Sequence, residues 1–139
     1  MNTSIYLEHA NITVKDLDGA IRFFKTAFPH FYIRGEGVGN GRKWVHLGDE
    51  TNYLALNSEG KEQGIRKNYD SSGINHLGFV VNDAMGLAKR LLEAGFERSY
   101  PEQLEQFRIR EYFYDTDGNE FEFVEYLSDD PSERNAYDA

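Results

Sequence analysis

Cysteine is absent from this chain of 139 residues, which excludes disulfides, thiolate metal sites and a cysteine nucleophile. Positive charge is scarce: 15 Lys and Arg stand against 24 Asp and Glu, a formal net charge of −9. Such a surface repels phosphate backbones and anionic headgroups, so neither nucleic acid nor membrane is an expected partner. No apolar run reaches the roughly 18 residues a bilayer span needs. Met1 to Ser4 lead into a strand-like run, not into a charged start with an apolar stretch. A soluble, cytoplasmic protein is the default expectation. Core-building residues, by contrast, are plentiful: 40% of the chain is hydrophobic, with 10 Phe and 9 Tyr. At this length they suit a single domain, 1–139.

Tyr6 to Val14 reads as a strand, and Asp16 as the N-cap of a helix at 17–28 whose Ala20, Ile21, Phe24 and Phe28 recur at helical spacing. Pro29 stops it. Gly35, Gly37, Gly39 and Gly41 read as a flexible loop, and Lys43 to Leu47 and Tyr53 to Asn57 as strands. A polar connector, 58–73, separates this first module (5–57) from a second (74–127). There the order recurs: a strand at Ile74 to Val81, a cap at Asp83, an apolar stripe of Leu87, Leu91 and Leu92, then strands at Phe107 to Tyr114 and Glu120 to Tyr126. Asp115 to Asn119 is the hairpin turn between the last two. Its glycine stands at the fourth place, so it is not a calcium loop. Asp130-Pro-Ser-Glu133 resembles a capping box opening a short helix in the acidic tail, 128–139. That tail reads as a solvated end.

The second half repeats the first without a gap. His9 falls on His76, 67 residues on, Val14 on Val81, Asp16 on Asp83, Gly19 on Gly86, Ala27 on Ala94 and Asn52 on Asn119. Two βαβββ modules, each too small to be stable alone, then pack side by side. The expected class is α+β, with the sheets forming a curved surface and the helices outside. Strand alternation sends Ile12, Val14, Leu77, Phe79, Phe113, Phe121 and Phe123 to the helices. It leaves His9, Asn11, His76, Arg110, Tyr112 and Glu122 on the other face. His46 has core-facing parity, and His30, after the helix-ending proline, reads as a surface residue.

At these residues the chain resembles the vicinal oxygen chelate superfamily, the glyoxalase, bleomycin-resistance, fosfomycin-resistance and extradiol-dioxygenase group. The resemblance spans about 5–127 and rests on LEHANITVKDLDGAIRFF, INHLGFVVND and YDTDGNEFEFVEY. It implies paired βαβββ modules and one divalent metal per site on the inner face, with His9, His76 and Glu122 as ligands. The fourth ligand position of the family falls on Ala55, a departure from the glyoxalase I pattern. Two histidines and one carboxylate suit Fe, Mn, Zn, Ni or Co and leave coordination positions open. Tyr112 matches an active-site tyrosine of the fosfomycin branch. The candidate catalytic residues are therefore Glu122 and Tyr112, and the candidate substrate contacts Arg110, Tyr112 and Asn11. The resemblance also implies a homodimer, with each site taking His9 from one chain and His76 and Glu122 from the other, or all three from one chain. Two readings of function stand side by side: a metal-dependent lyase, isomerase or dioxygenase acting on a small oxygen-rich substrate, and a non-enzymatic protein that binds and sequesters a small molecule.

Overall fold

The computed structural model describes residues 5–62 and 69–137. Of the 58–73 connector, residues 63–68 lie outside the described residues. The chain divides into two compact units, Met1–Gln63 and Gly64–Ala139. The first holds β1 (His9–Thr13), α1 (Leu17–Ala27), β2 (Tyr32–Gly39), β3 (Arg42–Gly48) and β4 (Tyr53–Asn57). The second holds β5 (His76–Val80), α2 (Ala84–Glu93), β6 (Arg98–Leu104), β7 (Arg108–Tyr114), β8 (Glu120–Tyr126) and α3 (Pro131–Arg134). Each unit is one βαβββ module with a four-stranded mixed sheet, in the order β1-β4-β3-β2 or β5-β8-β7-β6. The first and last strands of each module pair in parallel at its centre and edge. Among the described residues no helix is long and apolar enough to cross a membrane.

Local chemistry explains why the modules match. The Asp16 and Asp83 side chains accept from the backbone N–H of Gly19 and Gly86, each at 2.9 Å, satisfying donors that a helix start otherwise leaves orphaned. A glycine is required at position 86, since a Cβ there would stand 2.2 Å from an Asp83 carboxylate oxygen. Each helix lays its apolar stripe on its own sheet. Phe23, Phe24, Leu47 and Leu56 fill the first core, and Leu87, Leu91, Phe113 and Phe123 the second, all at most 1% exposed.

Three expectations need correction. The glycine-rich stretch is a strand: β2 runs through Gly35 and Gly37 and meets β3 across a two-residue turn, Asn40-Gly41, with φ of 52° and 74°. Positive φ at both positions is the hairpin geometry that Asn-Gly favours. The glycines serve packing rather than flexibility, because the Trp44 indole lies on the β2 backbone. A Cβ at Gly37 would stand 2.9 Å from its ring. Gly37→Ala is therefore expected to lift the indole and shift its emission to the red, at a stability cost of about 1 kcal/mol. Trp44 is the chain's sole tryptophan, so an unchanged emission maximum contradicts the packing account. Second, the sequence pattern marks no strand at 98–104, where β6 supplies the strand that the βαβββ order requires. Its bulges at Arg98/Tyr100 and Tyr100/Gln103 break the alternation by which a strand is read. Third, the tail packs on the second unit: the Arg134 guanidinium lies 4.2 Å over the Tyr126 ring and that of Arg108 5.3 Å from the Tyr137 ring.

Candidate functional site

The repeat is not gapless inside the hairpins. Ala55 and Glu122 are related by the shift of 67, yet Ala55 pairs with His46 while Glu122 pairs with Tyr112, a shift of 66. The β7–β8 turn is one residue longer than the β3–β4 turn and restores the register. The gapless shift sets His46 against the core residue Phe113; the observed register sets it against Tyr112. His46 is thus no core histidine. It stands on the sheet face away from α1, flanked by buried Val45 and Leu47, with its ring 4.8 Å from that of Tyr53 and 5.0 Å from that of Trp44.

The same face of the first unit carries His9. Its ring stacks on Tyr53 at 4.7 Å and its Nδ1 lies 2.9 Å from Glu8 Oε1. The Arg34 guanidinium sits 4.3 Å above the Tyr53 ring. Asn11 is occupied within the strand pair, accepting from Asn57 Nδ2 at 2.6 Å. Ala55 is buried between Asn11 and His46 in the register. His30, exposed as expected, faces Asp49 at 3.3 Å.

In the second unit β5 and β8 run parallel, and Gly78 pairs with Glu122. With no side chain at Gly78, His76 reaches diagonally across to Glu122, its Nε2 3.1 Å from Glu122 Oε1. The imidazole's other nitrogen faces acceptors: Asn75 Oδ1 at 2.7 Å and Glu120 Oε1 at 3.6 Å. Both ring nitrogens thus face acceptors, and a neutral ring has one proton, so one of the two contacts sets a lone pair against an oxygen. Two electron-rich atoms at this separation call for a proton or a cation between them. Two ligands of one cation, with bonds of about 2.1 Å at a right angle, also end about 3 Å apart. The donor chemistry thus fits a metal at this pair. The residue preceding each histidine, Glu8 or Asn75, supplies the Nδ1 partner, the outer support that metal-ligating imidazoles use. Position 75 is position 8 displaced by 67, so the repeat itself carried that signal.

Tyr112 closes the site's other side. Its ring is edge-on to His76 at 5.8 Å, and its hydroxyl hydrogen-bonds to Glu122. Burial, then the bond to and charge of Glu122, push the phenol up to about 12, so it stays protonated at neutral pH and acts as a donor. Arg110 donates from Nη1 to the Tyr112 hydroxyl at 3.3 Å. Its main partner is Glu105, which Nε reaches at 2.9 Å and Nη2 contacts as well. Burial opposes the Arg110 charge, yet Glu105, Tyr112 and Glu122 together hold its pKa above the usual value. The second unit thus assembles His76, Glu122, Tyr112 and Arg110, while His9 and Asn11 belong to the first. Among the described residues no group of three or more His, Asp or Glu side chains stands close enough to hold a metal ion. At the hairpin turn, Asp115 accepts from the backbone N–H of Asp117 and Asn119, as a turn-capping aspartate does.

Comparison with known proteins agrees with this architecture. Residues 6–123 match the Glyoxalase/Bleomycin resistance protein/Dioxygenase superfamily. No curated protein matches the chain. Among solved structures, a glyoxylase/bleomycin resistance protein/dioxygenase domain from Frankia sp. EAN1pec shares 23% identity with a TM-score of 0.73, covering 89% of this chain and 99% of that one. The fosfomycin resistance protein FosX from Mesorhizobium loti shares 21% identity at a TM-score of 0.70, with 96% and 98% covered. A FosX variant from Listeria monocytogenes, complexed with Mn(II) and 1S,2S-dihydroxypropylphosphonic acid, shares 19% at a TM-score of 0.70, again with 96% and 98% covered. At these identities the likeness is one of fold.

Proposed function

Because the chain belongs to the glyoxalase/bleomycin resistance protein/dioxygenase superfamily, we propose that it is a metalloenzyme in which His76 and Glu122 hold a divalent cation and act on a small oxygen-rich substrate. The observation that carries this reading is the His76 imidazole, whose Nδ1 lies 2.7 Å from Asn75 Oδ1 and whose Nε2 lies 3.1 Å from Glu122 Oε1. When bound, the cation would polarise adjacent substrate oxygens and stabilise charge that develops on them. The reaction class in this proposal is lyase, isomerase or dioxygenase chemistry. The Listeria relative, complexed with Mn(II) and a dihydroxyphosphonic acid, supports a substrate with neighbouring oxygens.

The chain's own residues have separable tasks. Asn75, 2.7 Å from Nδ1, orients the His76 ring. Tyr112, protonated across the neutral range, donates to Glu122 and is placed to hydrogen-bond a substrate oxygen or supply a proton. Glu122 accepts from Tyr112 and turns Oε1 toward His76. Asn11, tied to Asn57, shapes the first unit's face.

Metal removal and reloading test the proposal. Protein stripped with chelator and titrated with Mn2+ or Zn2+ is expected to take up one ion per chain and gain thermal stability with metal concentration. His76→Ala and Glu122→Ala should each weaken binding by on the order of 100-fold or more, since losing only an outer partner of a ligand costs about 10- to 100-fold. A wild type without saturable uptake, or a His76→Ala protein that binds as tightly, overturns the reading.

The second reading, a binder that sequesters a small planar or cationic molecule, is favoured by the ring cluster of His9, Tyr53, His46 and Trp44 on one sheet face and by the acidic charge. It predicts ligand protection that survives chelation and is lost in Trp44→Ala.

A further inference from the structure

Glu105 takes no part in the site as described, yet it stands at the junction of its charges. It lies in the β6–β7 turn, where its backbone N–H donates to Arg108 at 3.0 Å. Its carboxylate receives Arg108 Nε on one oxygen at 2.6 Å and the Arg110 guanidinium on the other. The carboxylate is 16% exposed. Burial alone would discourage its ionisation, but the two arginines outweigh burial and hold its pKa below the usual range. The turn needs no such anion to close; a hydrogen bond along the backbone already does that.

The consequence lies two residues along β7. A guanidinium has five donors and no acceptor, so Arg110 Nη1 contacts the Tyr112 hydroxyl only through that oxygen's lone pair. The hydroxyl hydrogen is thereby turned away from Arg110, toward Glu122. Arg110 also feels the charge of Glu122. Without Glu105 its fork would be free to clasp the Glu122 carboxylate itself, in the bidentate geometry that arginine and carboxylate favour. A carboxylate so clasped is a weaker ligand, since one lone-pair site on each oxygen and much of its charge are already engaged.

We propose that Glu105 is a positioning residue that holds Arg110 away from Glu122, leaving the Glu122 carboxylate free to ligate a cation while Arg110 orders Tyr112. This inference rests on the metal reading above and names a control on the same site.

The test is a cycle of Mn2+ affinities, measured by calorimetry on full-length protein without substrate. Glu105→Gln keeps the shape and removes the charge. It is expected to weaken Mn2+ binding about 10-fold when Arg110 is present. In an Arg110→Met background the same substitution should change affinity less than twofold, because the competitor is gone. Loss of the Arg108 contact is common to both arms of the cycle and cancels. If Glu105→Gln leaves wild-type affinity within twofold, or weakens it equally in both backgrounds, Glu105 does not act through Arg110 and the inference falls while the metal site stands. A wild type that takes up no Mn2+ removes both.

Discussion

Replacing Glu111 by alanine is expected to cost about 3 kcal/mol of stability, read as a shift in urea midpoint at neutral pH. Glu111 has the odd-numbered parity of Phe113, Phe121 and Phe123, and so points to the helix side of the second sheet, where it is fully buried. Arg98 grips it with two bonds, Nε to Oε2 at 2.9 Å and Nη2 to Oε1 at 3.2 Å. Glu102 stands against both groups, 3.8 Å from Arg98 Nη2 and hydrogen-bonded to Glu111. Alanine leaves a void and strands the guanidinium. The cost falls at the lower end for a broken buried pair because Arg98 keeps Glu102 and is partly solvated. Replacing both partners, Arg98→Met with Glu111→Leu, should recover most of the loss. A double variant no more stable than Glu111→Ala would contradict this account.

Glu111 also dictates a pH dependence. Burial pushes its carboxyl up to about 7, with the hydrogen bond from Arg98 opposing and Glu102 adding to the rise. A folded value above the unfolded one means that the fold favours the protonated acid. Its stabilising contribution is complete below pH 4.5 and is lost as pH climbs through 7. Glu111→Gln keeps an acceptor for Arg98 and cannot ionise, so its stability curve should be flatter across that window. An identical slope in the variant would show that another group is responsible.

Phe123→Ala is expected to destabilise the protein by about 3–5 kcal/mol, as large-to-small changes of buried aromatics do. Phe123 is fully buried on β8 and stacks on Phe79 at 6.0 Å. Its neighbour in the strand is Glu122, which points to the opposite face. The ring therefore anchors the strand that carries the proposed metal ligand. Cavity formation should weaken Mn2+ binding in proportion to any shift of β8, whereas Phe23→Ala, in the first unit's core, should cost similar stability without that effect on Glu122. Equal metal loss in both would mean that global stability, not strand placement, sets affinity.

Much of the candidate site was legible because its cues are local. Period-two alternation placed His76, Tyr112 and Glu122 on one face, and the repeat placed His9 at the position equivalent to His76. Aspartate caps at 16 and 83 announced both helices. The misreadings share a cause: each concerns an element whose role is set by something distant in sequence. Glycines 35 and 37 look flexible until Trp44 is laid on them. His46 looks like a core residue until the longer β7–β8 turn shows that the hairpins are offset by one residue. Glu111 shares the core-facing parity of Phe113, and its buried carboxylate makes sense only beside Arg98, on a bulged strand that alternation does not reveal.

The sequence by itself determined the doubled βαβββ order, the caps and the inward or outward side of most strand residues, since these follow from backbone periodicity and from hydrogen bonds a few residues long. Only the tertiary structure decided which charges meet: His76 with Glu122, Arg110 with Glu105, Arg98 with Glu111. Such pairings depend on register between strands, and a single inserted residue in a turn changes which side chains face each other across the ladder.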